Sequence, residues 1–146
     1  MLHFESEVTI RRPIADVFAF VADLSNTPLW QGGVVHSAAI TPGPIRVGAM
    51  FEEDVKVAWF HVPTRCVITE LESNQRVVFE ASSSPLEYRG EFRFEPVDGG
   101  TRLRVHGSGR MRGVWRLLEP VLQADATRTV NDEVGRIKSH LETVAS

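Results

Sequence analysis

Residues 86–111 alternate apolar and charged side chains on both sides of an Asp98-Gly99-Gly100 turn. A period of two places one set of side chains on each face of a strand. Tyr88, Phe92 and Phe94 share one face, and Glu87, Arg89, Glu91, Arg93 and Glu95 share the other. After the turn, Leu103, Val105 and Met111 oppose Arg102, Arg104, His106 and Arg110. The pattern predicts an antiparallel hairpin with one dry face and one wet face, whose acidic and basic rows attract each other modestly. An apolar stretch at 114–122 and a long helical pattern follow at once. A curved sheet that needs covering and a helix able to cover it imply a pocket between them.

The rest of the chain supplies more strands. Leu2, Phe4, Val8 and Ile10 alternate with acidic residues and Thr9, with Ser6 the polar exception on the apolar face. Pro13 suits the first turn of a helix, and Val17, Phe18 and Val21 follow at helical spacing. A second short helix is predicted near 27–31, capped by Ser25 or Asn26 and ended by Gly32-Gly33. Strands are predicted at 34–40, 49–61, 65–71 and 76–81, with loops at 41–44, 73–75 and 82–85. From about Gly113 to Val144 the chain reads as helix, with Val130, Val134, Ile137 and Leu141 spaced 4, 3 and 4. Pro120 kinks it or separates its first turn. A bend there would turn the apolar stripes before and after it toward the sheet. Strands followed by a segregated long helix make an α+β plan, with one domain expected over 1–146.

Composition narrows the function classes. A net charge of −3 over 146 residues argues against a general nucleic-acid binder. The single cysteine, Cys66, allows no intrachain disulfide and fits a reducing compartment. No basic segment followed by an apolar run opens the chain, and no window is apolar for long enough to span a bilayer. A cytoplasmic protein without stable membrane insertion, monomeric or homodimeric, is the expectation. His3, His36, His61, His106 and His140 include no metal-ligand spacing, so neither metal nor cofactor is expected. Residues 107–113 space their glycines one residue too widely for a dinucleotide loop, and no βαβ unit surrounds them. Those glycines instead suit close backbone approach at a cavity rim.

Candidate cavity-lining residues are Trp30, Phe51, Trp59, Tyr88, Phe92, Phe94, Trp115, Leu118, Val121 and Leu122. Plain core packing explains any one of them; together they suit an apolar pocket carrying a few polar groups. The polar candidates break the apolar phase on an inward face. Glu53 falls in register with Phe51, Val55, Val57 and Trp59, and His61 continues that row. Asp125 and Arg128 follow Leu118 and Val121 along the last helix. A buried carboxyl needs a partner or a raised pKa, and could act as a general base or hold a ligand hydroxyl. Glu53 and His61 are therefore the catalytic candidates, and Glu53, His61 and Asp125 the polar ligand-binding ones.

With this element order, Leu29-Trp30, residues 42–48 (Pro-Gly-Pro-Ile-Arg-Val-Gly), 68–71 (Ile-Thr-Glu-Leu), 76–80 (Arg-Val-Val-Phe-Glu) and Gly99-Gly100-Thr101 carry a resemblance. From about residue 2 to 142 the chain resembles the START-like (SRPBCC) helix-grip superfamily, in its polyketide cyclase/dehydrase and lipid-transport branch. The resemblance implies a seven-stranded antiparallel sheet curled around a long C-terminal helix, two short helices between the first two strands, and a deep hydrophobic cavity. It transfers no catalytic residues, because this branch has no short motif that fixes them. The expectation is a carrier or sensor for a small hydrophobic molecule such as a polyketide, lipid or isoprenoid. A cyclase/dehydrase using inward polar residues for proton transfer, or a protein-interaction module, is the alternative.

Overall fold

The computed structural model describes residues 1–57, 59–83 and 86–144. Ala58, in the predicted strand 49–61, and Ser84 and Pro85, in the predicted loop 82–85, lie outside the described residues. Strand β1 (Leu2–Ile10) leads to helix α1 (Ile14–Ala22) and a 3₁₀ helix (Leu24–Leu29). Six strands follow: β2 (Val34–Ala39), β3 (Met50–Val57), β4 (Phe60–Glu72), β5 (Arg76–Ser82), β6 (Leu86–Val97) and β7 (Gly100–Met111). A second 3₁₀ helix (Gly113–Leu118) then enters α2 (Glu119–Val144). All seven strands form one antiparallel sheet in the order β1-β7-β6-β5-β4-β3-β2. This is the helix-grip architecture.

The predicted hairpin is present, with Phe92 opposite Val105 and Phe94 opposite Leu103. Its charged rows face outward and pair, Arg102 with Glu95 at 3.5 Å and with Glu7 of β1 at 3.0 Å. Such exposed pairs contribute at most about 1 kcal/mol each. The inner face carries the stability. Ile10, Val17, Val21, Leu24, Ile68, Val77, Leu103 and Ile137 are sealed from solvent in one continuous core. At about 1.5–3 kcal/mol per fully buried aliphatic side chain, this burial outweighs every surface ion pair.

Three expectations need correction. The 3₁₀ helix starts at Leu24, and its cap is Asp23, whose carboxylate accepts from the Ser25 backbone N–H at 3.0 Å. The predicted strand 49–61 is two strands, because the chain reverses between Val57 and Phe60, which pair. Val57, Trp59 and Phe60 carry the apolar pattern straight through, and nothing of the usual Gly, Pro or Asn chemistry marks the turn. A two-residue turn shifts face parity by one. His61 therefore pairs with Lys56 and joins the outer face, not the face of Phe51 and Glu53.

The third correction concerns α2. Pro120 sits in its first turn and separates it from the preceding 3₁₀ helix. The apolar residues around Pro120 nevertheless face solvent, among them Val114, Leu117 and Val121. The cause lies in polar bonds between α2 and the N-terminal end of β1. The Gln123 amide donates to the His3 carbonyl at 2.7 Å and accepts from the His3 N–H at 2.7 Å. Glu119 accepts from the Met1 ammonium at 3.1 Å and from the Met111 N–H at 2.9 Å. Residues four apart share a helix face, so these bonds turn Glu119 and Gln123 toward the sheet and Val121 away from it. Further along, the same face presents Val130, Val134, Ile137 and Leu141, all buried. At the far end Lys138 donates to the Thr9 carbonyl at 2.8 Å and Arg12 to the Leu141 carbonyl at 2.7 Å. Ser6, the polar residue on the inner face of β1, donates to Asn131 of α2 at 2.5 Å. Among the described residues no helix is long and apolar enough to cross a membrane.

Replacing Gln123 with Ala should free the start of α2 from β1 while leaving the apolar seam closed. Hydrogen exchange should show the His3 amide losing protection at least about tenfold, with the amides beyond Val130 unchanged. An unchanged His3 amide would contradict this tethering.

Candidate functional site

A half-open apolar hollow lies where α2 crosses the inner face of β1, β5, β6 and β7. It holds about 180 Å³, lined by Leu2, Phe4, Phe79, Tyr88, Phe92 and Val105 from the sheet and by Val130 and Val134 from α2. Trp30 and Gln31 close one side from the end of the first 3₁₀ helix. Both backbone N–H groups donate to the Thr27 carbonyl, at 3.1 Å and 2.8 Å, which fixes this corner. The rings buttress one another: Phe79 stacks on Phe92 with centroids 5.7 Å apart, and Tyr88 and Trp30 meet them edge-on. Two glycines let the rings lie flat on the sheet. A Cβ on Gly107 would stand 2.2 Å from the Phe4 ring, and one on Gly90 would stand 2.8 Å from the Phe79 ring. Interlocked rings over a bare backbone make a preformed apolar pocket.

A few residues with polar groups border this pocket. The Gln31 amide N–H donates to the Tyr88 hydroxyl at 2.9 Å. Gln31 Oε1 and the Trp30 indole N–H are buried without a hydrogen-bond partner among the described residues. Each such group costs about 1–3 kcal/mol when left unmatched. Glu133, on α2 between Val130 and Val134, also lines the pocket. Burial raises its carboxyl to about 7, against the pull of Arg136 and with a further push from Asp132. The Arg136 guanidinium is itself committed to the Trp30 carbonyl at 2.8 Å. Burial likewise raises the Tyr88 phenol, keeping it protonated.

The sequence candidates divide. Trp30, Tyr88 and Phe92 line the pocket, whereas Phe51 and Phe94 are buried in the core beside it. Glu53 points inward and is 5% exposed, but it sits under the first 3₁₀ helix. Thr27 donates to it at 2.5 Å, and Ser37 and Cys66 also hydrogen-bond to it. Burial raises the Glu53 carboxyl, and burial together with that carboxyl raises the Cys66 thiol. Trp59 is 79% exposed in the β3–β4 turn. His61 is on the outer face, with its Nδ1 2.9 Å from both Asp54 oxygens. Trp115, Leu118, Val121, Leu122, Asp125 and Arg128 are exposed and do not line the pocket.

Sequence reasoning misses Gln31 and Glu133. The signal for Glu133 is its place three residues after Val130, on the apolar stripe itself; Gln31 carries none beyond its neighbour Trp30.

A larger open hollow of about 1320 Å³ lies mainly on the outer face, among Glu52, Asp54, His61, Arg65, Glu80 and Arg89. Arg65 pairs there with Glu52 at 2.9 Å, and His61 Nδ1 lies 2.9 Å from Asp54. An open hollow on a charged sheet face is not a ligand site of the enclosed apolar kind. Among the described residues no group of three or more His, Cys, Asp or Glu side chains is placed to hold a metal ion.

The family model for polyketide cyclase / dehydrase and lipid transport matches residues 1–142. The chain belongs to this family. Solved structures share its fold. The Zhui aromatase/cyclase from Streptomyces sp. R1128 superposes with a TM-score of 0.81 at 16% identity, covering 99% of this chain and 95% of that one. A START superfamily protein from Mycobacterium smegmatis gives 0.81 at 12% identity, covering 97% and 98%. A protein from Thermus thermophilus gives 0.81 at 16% identity, covering 99% of each chain. At these identities the likeness is one of fold. No curated protein sequence matches this family member.

The Glu133 environment sets a pH signature. Its folded carboxyl holds a proton up to about pH 7, while the unfolded one loses it near 4.5. Between these values the folded state binds more protons, so this group's contribution to stability falls as pH rises. Replacing Glu133 with Gln removes that loss. Urea unfolding should show the variant equal to the parent near pH 4 and more stable above pH 7, by up to about 3 kcal/mol. A constant difference across that range would refute the burial of this carboxyl.

Proposed function

We propose that this protein encloses a small, mostly apolar molecule between the sheet and α2, as a carrier or sensor. The carrying observation is the ring-lined pocket between the sheet and α2. Membership of a family described by cyclisation and lipid transport supports the reading. At about 180 Å³ the pocket falls below the roughly 300–1,000 Å³ common for drug-sized ligands, so the guest is a compact one of about two fused rings.

Glu133 favours a second reading, an enzyme of the cyclase/dehydrase type. A carboxyl that titrates near neutrality can take and return a proton in an otherwise apolar pocket. Glu133 is the proton-transfer candidate in that case, ahead of Glu53, which is engaged by Thr27, and His61, which faces away. Turnover of a polyketide-like chain that is lost in Glu133→Gln with binding retained separates enzyme from carrier.

Enclosure itself is tested by filling the space. Val130→Phe adds a ring where the wild-type chain leaves room. Affinity for 2-naphthol, measured by calorimetry, should fall at least about tenfold while the far-ultraviolet circular dichroism stays native. Unchanged affinity in the folded variant would place the guest elsewhere.

A further inference from the structure

We infer that Glu53, which lies outside the pocket, is a positioning residue for it: through Thr27 it fixes the wall made by Trp30 and Gln31, so the hold on a guest depends on this side chain. This inference rests on the enclosure reading and goes beyond the residues that line the hollow. Pro28, inside the 3₁₀ helix, has no N–H to offer the Leu24 carbonyl four residues back. Ser37 of β2 takes that place, its hydroxyl donating to the Leu24 carbonyl at 2.8 Å. Ser37 also stands opposite Glu53 in the β2–β3 register. A hydroxyl has one proton, so toward Glu53 Ser37 presents a lone pair. Thr27, by contrast, donates to Glu53 Oε2 at 2.5 Å. A neutral carboxyl meets both demands, accepting from Thr27 and donating to Ser37. It holds the helix at two points, Thr27 directly and Leu24 through Ser37, and all four residues are buried.

The same Thr27 carries the pocket wall. Its carbonyl accepts from the Trp30 N–H at 3.1 Å and from the Gln31 N–H at 2.8 Å. Trp30 then meets Phe92 edge-on with centroids 5.7 Å apart, and Gln31 donates to the Tyr88 hydroxyl at 2.9 Å. Gly32 and Gly33 follow, and they bring no side chain to brace the wall from the other end. Arg136 ties the wall to α2 through the Trp30 carbonyl at 2.8 Å, and Tyr88 ties it to β6. Both ties end on Trp30 and Gln31 themselves, and the Thr27–Glu53 bond holds the turn from which these residues project. A side chain that cannot engage Thr27 lets that turn shift. A gap of about 1 Å forfeits up to roughly half of a dispersion contact, so a small shift weakens the ring contacts to a guest.

Four variants of the full chain test this, with 2-naphthol titrated by calorimetry: Thr27→Val, Glu53→Leu, the two combined, and Glu53→Gln. Thr27→Val and Glu53→Leu should each weaken binding about tenfold. The combined variant should bind no more weakly than either alone, because both act through one bond. Glu53→Gln keeps an oxygen that accepts and an N–H that donates, so it should stay within about twofold of the parent. A merely structural loss would not be rescued in this way. Hydrogen exchange without any guest gives a second reading. In Thr27→Val the Trp30 and Gln31 amides should lose protection at least about tenfold, with the Val134 and Ile137 amides unchanged. Thr27→Val exchanges a hydroxyl for a methyl of similar size, so it decides the matter even where Glu53→Leu fails to fold. Parental affinity in Thr27→Val, or a Glu53→Gln that binds as weakly as Glu53→Leu, overturns the inference while leaving enclosure intact. A parent chain that does not bind 2-naphthol overturns enclosure, and this inference falls with it.

Discussion

Along α2 the residues facing the sheet change from Glu119 and Gln123 to Val130, Val134, Ile137 and Leu141, and one helix rotation satisfies both sets. The polar bonds to Met1, His3 and Met111 hold the first turns, and apolar burial holds the rest. The two terms differ in size. Burying four aliphatic side chains is worth several kcal/mol, whereas exposed hydrogen bonds contribute about 1 kcal/mol each. The seam therefore fixes the helix, and the polar bonds set how its beginning lies. That setting leaves Val114, Leu117 and Val121 in solvent and opens the space beside Val130 and Val134 that a fully apolar contact would have filled.

The pocket keeps its shape because its walls support one another. Phe79 is stacked on Phe92, met edge-on by Tyr88, and lies flat over Gly90. Packed aromatic rings leave few alternative rotamers, so the volume is not lost to collapse. The same enclosure creates the chemistry. Taking Glu133 out of water moves its carboxyl to where it titrates near neutrality, and taking Trp30 and Gln31 out of water makes their unmatched atoms expensive. Glu53 shows the contrast. It is buried more deeply than the half-buried Glu133, yet Thr27, Ser37 and Cys66 all hydrogen-bond to it, so it ties the 3₁₀ helix to β3 and stays out of the pocket.

Several features are legible from side-chain pattern alone. The β6–β7 hairpin, the charged outer face, the apolar stripe 130–141 and the order of elements follow from periods of two and 3.6, which are local properties. The failures share one cause. Val57 to Phe60 keeps an apolar rhythm through a turn, so counting residues puts His61 on the wrong face and Trp59 in a wall, when it stands at a hairpin tip. Trp115, Leu118, Val121 and Leu122 look like the start of a covering helix because they are apolar. Their direction depends on Gln123 and Glu119 finding backbone partners more than a hundred residues away. Glu133 looks like one more helix-surface charge, since its i+3 relation to Val130 gains meaning only once the opposing sheet is present.

The amino-acid order thus determined the strands, the long helix, the wet and dry faces and the family, because each rests on neighbours within a few residues or on a whole-chain pattern. Which face His61 took, which way the start of α2 turned, and which carboxyl entered the pocket were decided only on folding. Each depends on a contact between distant segments, and the burial that raises the Glu133 carboxyl exists only once those segments meet.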